Sequence, residues 1–126
     1  MKRNRRILLV LAALSGLTSV ALGAFAAHGV ADPQAQAWLK TGTNYQIVHA
    51  LAVFAALTAL PRGSRPGMVA ATLFVIGALI FSGTLYAMAL GAPRWLGAIT
   101  PVGGLALMAG WIALAWGAFR LDDNRL

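Results

Sequence analysis

Along the chain, hydrophobic residues gather into four long runs separated by short polar breaks. The first run extends from Ile7 to about Ala27 without a charged residue, and the second from about Tyr45 to Leu60. The third covers Met68 to Leu90, and the fourth Pro101 to Phe119. A bilayer's hydrocarbon core is crossed by roughly 17–25 helical residues. Three runs meet that length directly, and the second does so if it begins near Gly42. In lipid, each backbone N–H and C=O must be bonded within the spanning segment, which selects helices over strands. The pattern predicts an all-α integral membrane four-helix bundle in a single domain, with spans at about 7–27, 43–60, 68–90 and 100–119.

The breaks carry their own signals. Pro61-Arg62-Gly63-Ser64-Arg65-Pro66-Gly67 combines two prolines with two glycines and reads as a compact turn. Asp32-Pro33 reads as an N-cap followed by proline at the first helical position. That predicts a short interfacial helix from Pro33 to Thr41 before the second span, with Gly42 as a bend; a single helix through Gly42 is the alternative. Thr100-Pro101 repeats the cap-then-proline signal at the start of the fourth span.

Composition sharpens the picture. Hydrophobic residues make up 60% of the chain and charged ones only 10%, with a mean hydropathy of +0.76. A water-facing surface needs about a quarter charged residues, so a soluble domain does not fit. The net charge of +7 does not point to nucleic acid, because the basic residues only flank apolar runs and form no exposed basic face. With no cysteine, disulfides, thiol chemistry and cysteine metal sites are excluded. Lys2, Arg3, Arg5, Arg6, Arg62, Arg65, Arg120 and Arg125 fall on one side of the spans, against Lys40 and Arg94 on the other. The positive side faces the cytoplasm, so both termini are expected inside. The N-terminal basic and apolar stretch with Ala24-Phe25-Ala26 also has signal-peptide features, but its apolar run is about twice a ~7–15-residue signal core.

Small residues supply candidate packing faces, since lipid tails are as apolar as leucine and close backbone approach must hold the helices together. Span one carries Ser15, Ser19, Gly23 and Ala27 at four-residue intervals, and span three carries Gly83, Ala87 and Gly91. Span four carries Gly103, Gly110 and Gly117 at seven-residue intervals.

On the predicted topology, His28, Tyr45, Gln46, His49, Ser82, Tyr86 and Thr100 fall in one layer near the outer end of the bundle. Such a layer is either a ligand site or a hydrogen-bonded plug that fixes helix register. The ligand would be a metal, a haem between His28 and His49, or a small polar molecule. Two histidines are too few for a closed zinc site, which takes four protein ligands. Trp38, Trp95, Tyr45 and Tyr86 also suit an outer aromatic belt, with Trp116 on the inner side. The spans contain no Asp, Glu, Lys or Arg, so no acid stands where it could orient a catalytic base. No catalytic residue, resident metal or cofactor is expected.

Four segments together resemble a known family. They are Gly23-Ala24-Phe25-Ala26-Ala27-His28-Gly29, Tyr45-Gln46-Ile47-Val48-His49-Ala50-Leu51, Phe81-Ser82-Gly83-Thr84-Leu85-Tyr86, and Ile99-Thr100-Pro101-Val102-Gly103-Gly104 ahead of Gly110-Trp111. Their order and spacing resemble the YgdD-like family of small bacterial inner-membrane proteins, related to a human four-span transmembrane protein. Glycine is usual in that family where Ala26 stands here. The resemblance implies four spans and a plasma-membrane location, and it implies no substrate, because the family has no assigned activity. The expected role is that of a non-enzymatic accessory protein, whose partners are the lipid bilayer, other membrane proteins or a second copy of itself. The alternative is a small-molecule, haem or metal binding or permeation protein that uses the polar layer.

Overall fold

The computed structural model describes residues 2–121. Four α-helices follow one another: α1 (Lys2–His28), α2 (Pro33–Ala59), α3 (Arg65–Ala89) and α4 (Thr100–Phe119), with a 3₁₀ segment (Arg94–Ala98) ahead of α4. Three segments are long and apolar enough to cross a membrane, namely Lys2–His28, Arg65–Ala89 and Arg94–Phe119. As long as α1, α2 differs in carrying Asn44, Tyr45, Gln46 and His49 along its middle.

Local chemistry sets the helix ends. The Asp32 carboxylate accepts from Ala35 N at 2.9 Å, and Pro33 occupies the first turn, so α2 starts where the sequence signals. It ends at Ala59, with Leu60 as an extended C-cap, because Pro61 disfavours helical backbone at the residue before it. Ser64 caps α3 by accepting from Gly67 N at 3.2 Å. At the other end Ala92 N donates to Ala87 O (2.9 Å) and Gly91 N to Met88 O (3.1 Å). With Gly91 at φ 104°, this is a Schellman stop, so Gly91 terminates α3 and does not extend a packing stripe.

Two sequence expectations fail here. No separate short helix ends at Gly42: α2 runs unbroken from Pro33 to Ala59, the single-helix alternative. Gly42 serves packing instead: a Cβ there would lie 2.5 Å from the Tyr86 ring, so this glycine admits an aromatic neighbour from α3. Thr100 does not cap α4 either. Its hydroxyl bonds Leu96 O (3.3 Å) and Thr84 Oγ1 (2.6 Å).

The helices pack in chain order, with α2 between α1 and α3, and α4 against α3; α1 touches α3 only sparsely. An apolar core of small and medium residues occupies one half of the bundle. It draws on Leu8 and Ala12 of α1, Val53 and Ala56 of α2, Ala70, Phe74 and Ala78 of α3, and Leu107 of α4. Phe74 is fully buried at its centre.

Candidate functional site

The polar side chains do not form one layer at the end of the bundle. Gln46 and Ser15 are each the central residue of a 27-residue helix, so the network they form lies midway along α1 and α2. The Gln46 amide nitrogen donates to Ser15 O (2.9 Å), Ser15 Oγ (3.1 Å) and Thr18 Oγ1 (2.7 Å). Its oxygen accepts from the Tyr86 hydroxyl of α3. One buried amide thus ties three helices. Thr18 and Ser19 also donate to Ser15 O, at 3.0 and 2.8 Å, which uses that carbonyl fully.

His49 lies one turn further along α2 and is equally committed. The indole N–H of Trp111 in α4 donates to His49 Nε2 at 3.0 Å. An indole N–H only donates, so Nε2 is the accepting nitrogen and Nδ1 carries the proton. Nδ1 in turn gives that proton to Tyr45 O at 2.7 Å. Both ring nitrogens are occupied in one neutral tautomer, boxed by Phe74 (5.5 Å) and Trp111 (5.8 Å). Neither nitrogen is left for a metal.

The remaining predicted residues separate. Ser82, nearly fully buried, donates to Gly42 O at 2.7 Å and clamps α3 to α2. Thr100 pairs with Thr84 between α3 and α4. The Tyr45 ring packs on Phe81 at 4.6 Å and is about half exposed. Tyr86 turns inward to Gln46 and so leaves the expected aromatic belt. His28 joins none of these groups: it is exposed at the last residue of α1. At ~1.5 Å per residue, His49 lies about 24 Å along α2 from Pro33, near which α1 ends. No single metal ion, and no haem iron, reaches both histidines with bonds of about 2 Å. Among the described residues no three of His, Cys, Asp or Glu gather in one place.

The packing glycines divide in the same way. A Cβ on Gly103 would meet Phe81 N at 2.4 Å, and one on Gly110 would meet the Phe74 ring at 2.7 Å. One on Gly117 would meet Leu60 at 2.6 Å and Pro66 at 3.0 Å. Gly23 has ordinary contact, with Thr43 at 3.9 Å, while Gly83 has nothing within 4 Å and Ala87 is half-buried. From α3, the close approach to α4 comes instead at Gly77, beside Leu107 and Gly103.

Sequence reasoning missed Thr18, Trp111 and Asn44. A tryptophan inside an apolar span needs a partner for its N–H, and His49 is the one imidazole within the spans; that pairing could have been drawn. A lateral groove of about 350 Å³ opens between α1 and α3, with walls such as Leu11 and Leu79 and a floor including Gln46 and Ser82.

Residues 22–104 match the family described as a protein of unknown function, DUF423. The chain belongs to that family. A "UPF0382 membrane protein" of Haemophilus influenzae is 44% identical over 115 residues, covering 89% of this chain and 93% of the relative. The "UPF0382 inner membrane protein YgdD" of Escherichia coli K12 is 38% identical over 120 residues, 92% of each chain. The "UPF0382 membrane protein YwdK" of Bacillus subtilis is 36% identical over 121 residues, 91% of this chain and 98% of the relative. No solved structure matches. The DUF423 match takes in His28, the Gln46–His49 turn, Ser82, Tyr86 and Thr100, and it assigns none of them an activity. As a DUF423 protein with three long apolar segments, the chain is a membrane protein.

Proposed function

We propose that this DUF423 protein is a non-enzymatic accessory protein of the plasma membrane that works by packing against other membrane helices, its own or those of a larger assembly. One observation carries the reading. Asn44, two residues from the midpoint of α2, is exposed on the outside of the bundle. It borders a groove of about 210 Å³ whose rim includes Ser19, Gly23, Ala24 and Thr43. An amide turned toward lipid is costly unless paired, and small neighbours let another helix come close enough to pair with it. Among the described residues, Gln46, His49, Ser82 and Thr100 are engaged with other protein groups, which favours a structural over a chemical role for them.

The topology that goes with this reading has four spans, α2 included. At ~1.5 Å per residue the 27 residues of α2 extend about 40 Å, with the first turns lying at the interface. The excess of Lys and Arg at the α1 N-terminus, the α2–α3 turn and the chain end supports both termini in the cytoplasm. The words "inner membrane protein" in the E. coli relative's name support the same location.

The chain has no cysteine, so an introduced Ala24→Cys reports unambiguously on its neighbours. Oxidative crosslinking of membranes should yield a covalent adduct through Cys at position 24, and Asn44→Leu should weaken it severalfold. A monomer that purifies without a companion, with no crosslink in cells, would end this reading. A second reading, a small-molecule binder or permeation protein, draws on the α1–α3 groove alone. It predicts that His49→Ala abolishes binding or flux with folding intact, whereas a structural role predicts loss of folding.

A further inference from the structure

The fold brings Arg120 beside two arginines that are close to it in space but distant in sequence. Arg62 and Arg65, in the α2–α3 connection, and Arg120, just after α4, line one polar pocket of about 460 Å³. Its other walls include Pro61, Ser64, Pro66 and Gly117, and no carboxylate lines it among the described residues. Asp122 and Asp123 lie outside the described residues.

The pocket is built on rigid parts. Pro61 and Pro66 fix the backbone at both ends of the turn, and Gly63 at φ 82° closes it. Ser64 N donates to Pro61 O at 2.9 Å, and the Ser64 hydroxyl caps α3. Gly117 is what brings α4 onto this turn, since any Cβ there would strike Leu60 and Pro66. Arg120 is stacked over the Trp116 ring at 5.8 Å, and Trp116 stacks on Phe119 at 6.1 Å. Both aromatic rings are largely exposed and provide an apolar surface directly beside the guanidinium.

Planar guanidinium forks match phosphate oxygens, and basic pockets between helices at the membrane surface suit anionic headgroups. The geometry points to a site for a phosphate-bearing anion in this pocket, the headgroup of an anionic phospholipid, with its acyl chains against Trp116 and Phe119. A free phosphate would offer the same oxygens to the arginines but would leave the aromatic surface unused. The inference requires that this end of the bundle meets the bilayer surface, and it is independent of the partner-packing reading.

The test uses the full chain in nanodiscs holding equal amounts of phosphatidylglycerol and phosphatidylcholine, released gently and weighed by native mass spectrometry. Retained phosphatidylglycerol should exceed phosphatidylcholine, and each of R62Q, R65Q and R120Q should lower that preference about fivefold. The control K40Q/R94Q, which removes the same kind of charge at the opposite end, should leave it intact. Helical content by circular dichroism checks that each variant is folded. Equal retention of the two lipids, or an equal loss in K40Q/R94Q, would overturn the site. Release of the lipid by millimolar inorganic phosphate would overturn the headgroup assignment in favour of a free anion.

Discussion

The seam between α1 and α2 and the seam between α3 and α4 solve one problem in opposite ways. Both must hold apolar helices together in a solvent that does not drive apolar surfaces into contact. Between α3 and α4 the answer is distance. Gly103 sits where even a methyl group would come 2.4 Å from a backbone nitrogen of α3, and Gly77 and Gly110 allow similar approach. Between α1 and α2 no such squeeze occurs at the glycines, where a Cβ on Gly16 or Gly23 would make only ordinary side-chain contact at 3.8 and 3.9 Å. There the link is the Gln46 amide reaching Ser15 and Thr18. One seam depends on what is missing from glycine, the other on what is present on glutamine.

The comparison is broken most forcefully at Gly103. The Gly103→Ala substitution should destabilise the bundle by about 2–3 kcal/mol, because the atoms in the way are backbone and cannot swing aside. Thermal loss of helicity in mild detergent measures it. A change under about 0.5 kcal/mol would mean that α3 and α4 are not held by close approach.

Gln46→Leu comes next. It removes every amide contact to α1 and leaves the Tyr86 hydroxyl without its acceptor. Membrane hydrogen bonds average about 0.6 kcal/mol and reach about 1.7, so the expected loss is about 1–2 kcal/mol. Trp111→Phe is milder. The ring packing on Phe74 at 5.0 Å is kept while the donor to His49 is lost, for about 0.6 kcal/mol. Both are read from the same melting curves, and a loss in Trp111→Phe larger than in Gln46→Leu would reverse the assigned weights.

How much of this was legible depended on periodicity. The seven-residue glycine spacing in α4 and the cap at Asp32 could be read because a local rule places them, two helical turns in one case and a cap geometry in the other. The helices themselves follow from the apolar runs. Depth was harder to read. A second span beginning near Gly42 puts the polar residues at the outer end, whereas α2 starts at Pro33 and has Gln46 at its midpoint. Gly42 is ambiguous in sequence, because a glycine that makes room for Tyr86 of α3 looks like one that bends its own helix. Rotational phase was hidden too, because each helix is apolar nearly all round and only tertiary packing decides which small residues face inward.

Gly83 makes that last point testable with the smallest effect of the set. It shares its helix and its residue type with Gly77, and the four-residue spacing to Ala87 made it look equally like a packing position. A Cβ at Gly83 meets nothing within 4 Å, while one at Gly77 would meet Leu107 at 2.8 Å and Gly103 O at 3.0 Å. Alanine is favoured over glycine inside a helix by roughly 0.5–1 kcal/mol when nothing opposes it. Gly83→Ala should therefore leave stability unchanged or raise it by up to about 0.5 kcal/mol, and Gly77→Ala should lower it. The same melting experiment distinguishes them. Equal destabilisation by both would mean that a partner already occupies the α1–α3 groove, of which Gly83 forms part of the wall, in the folded protein.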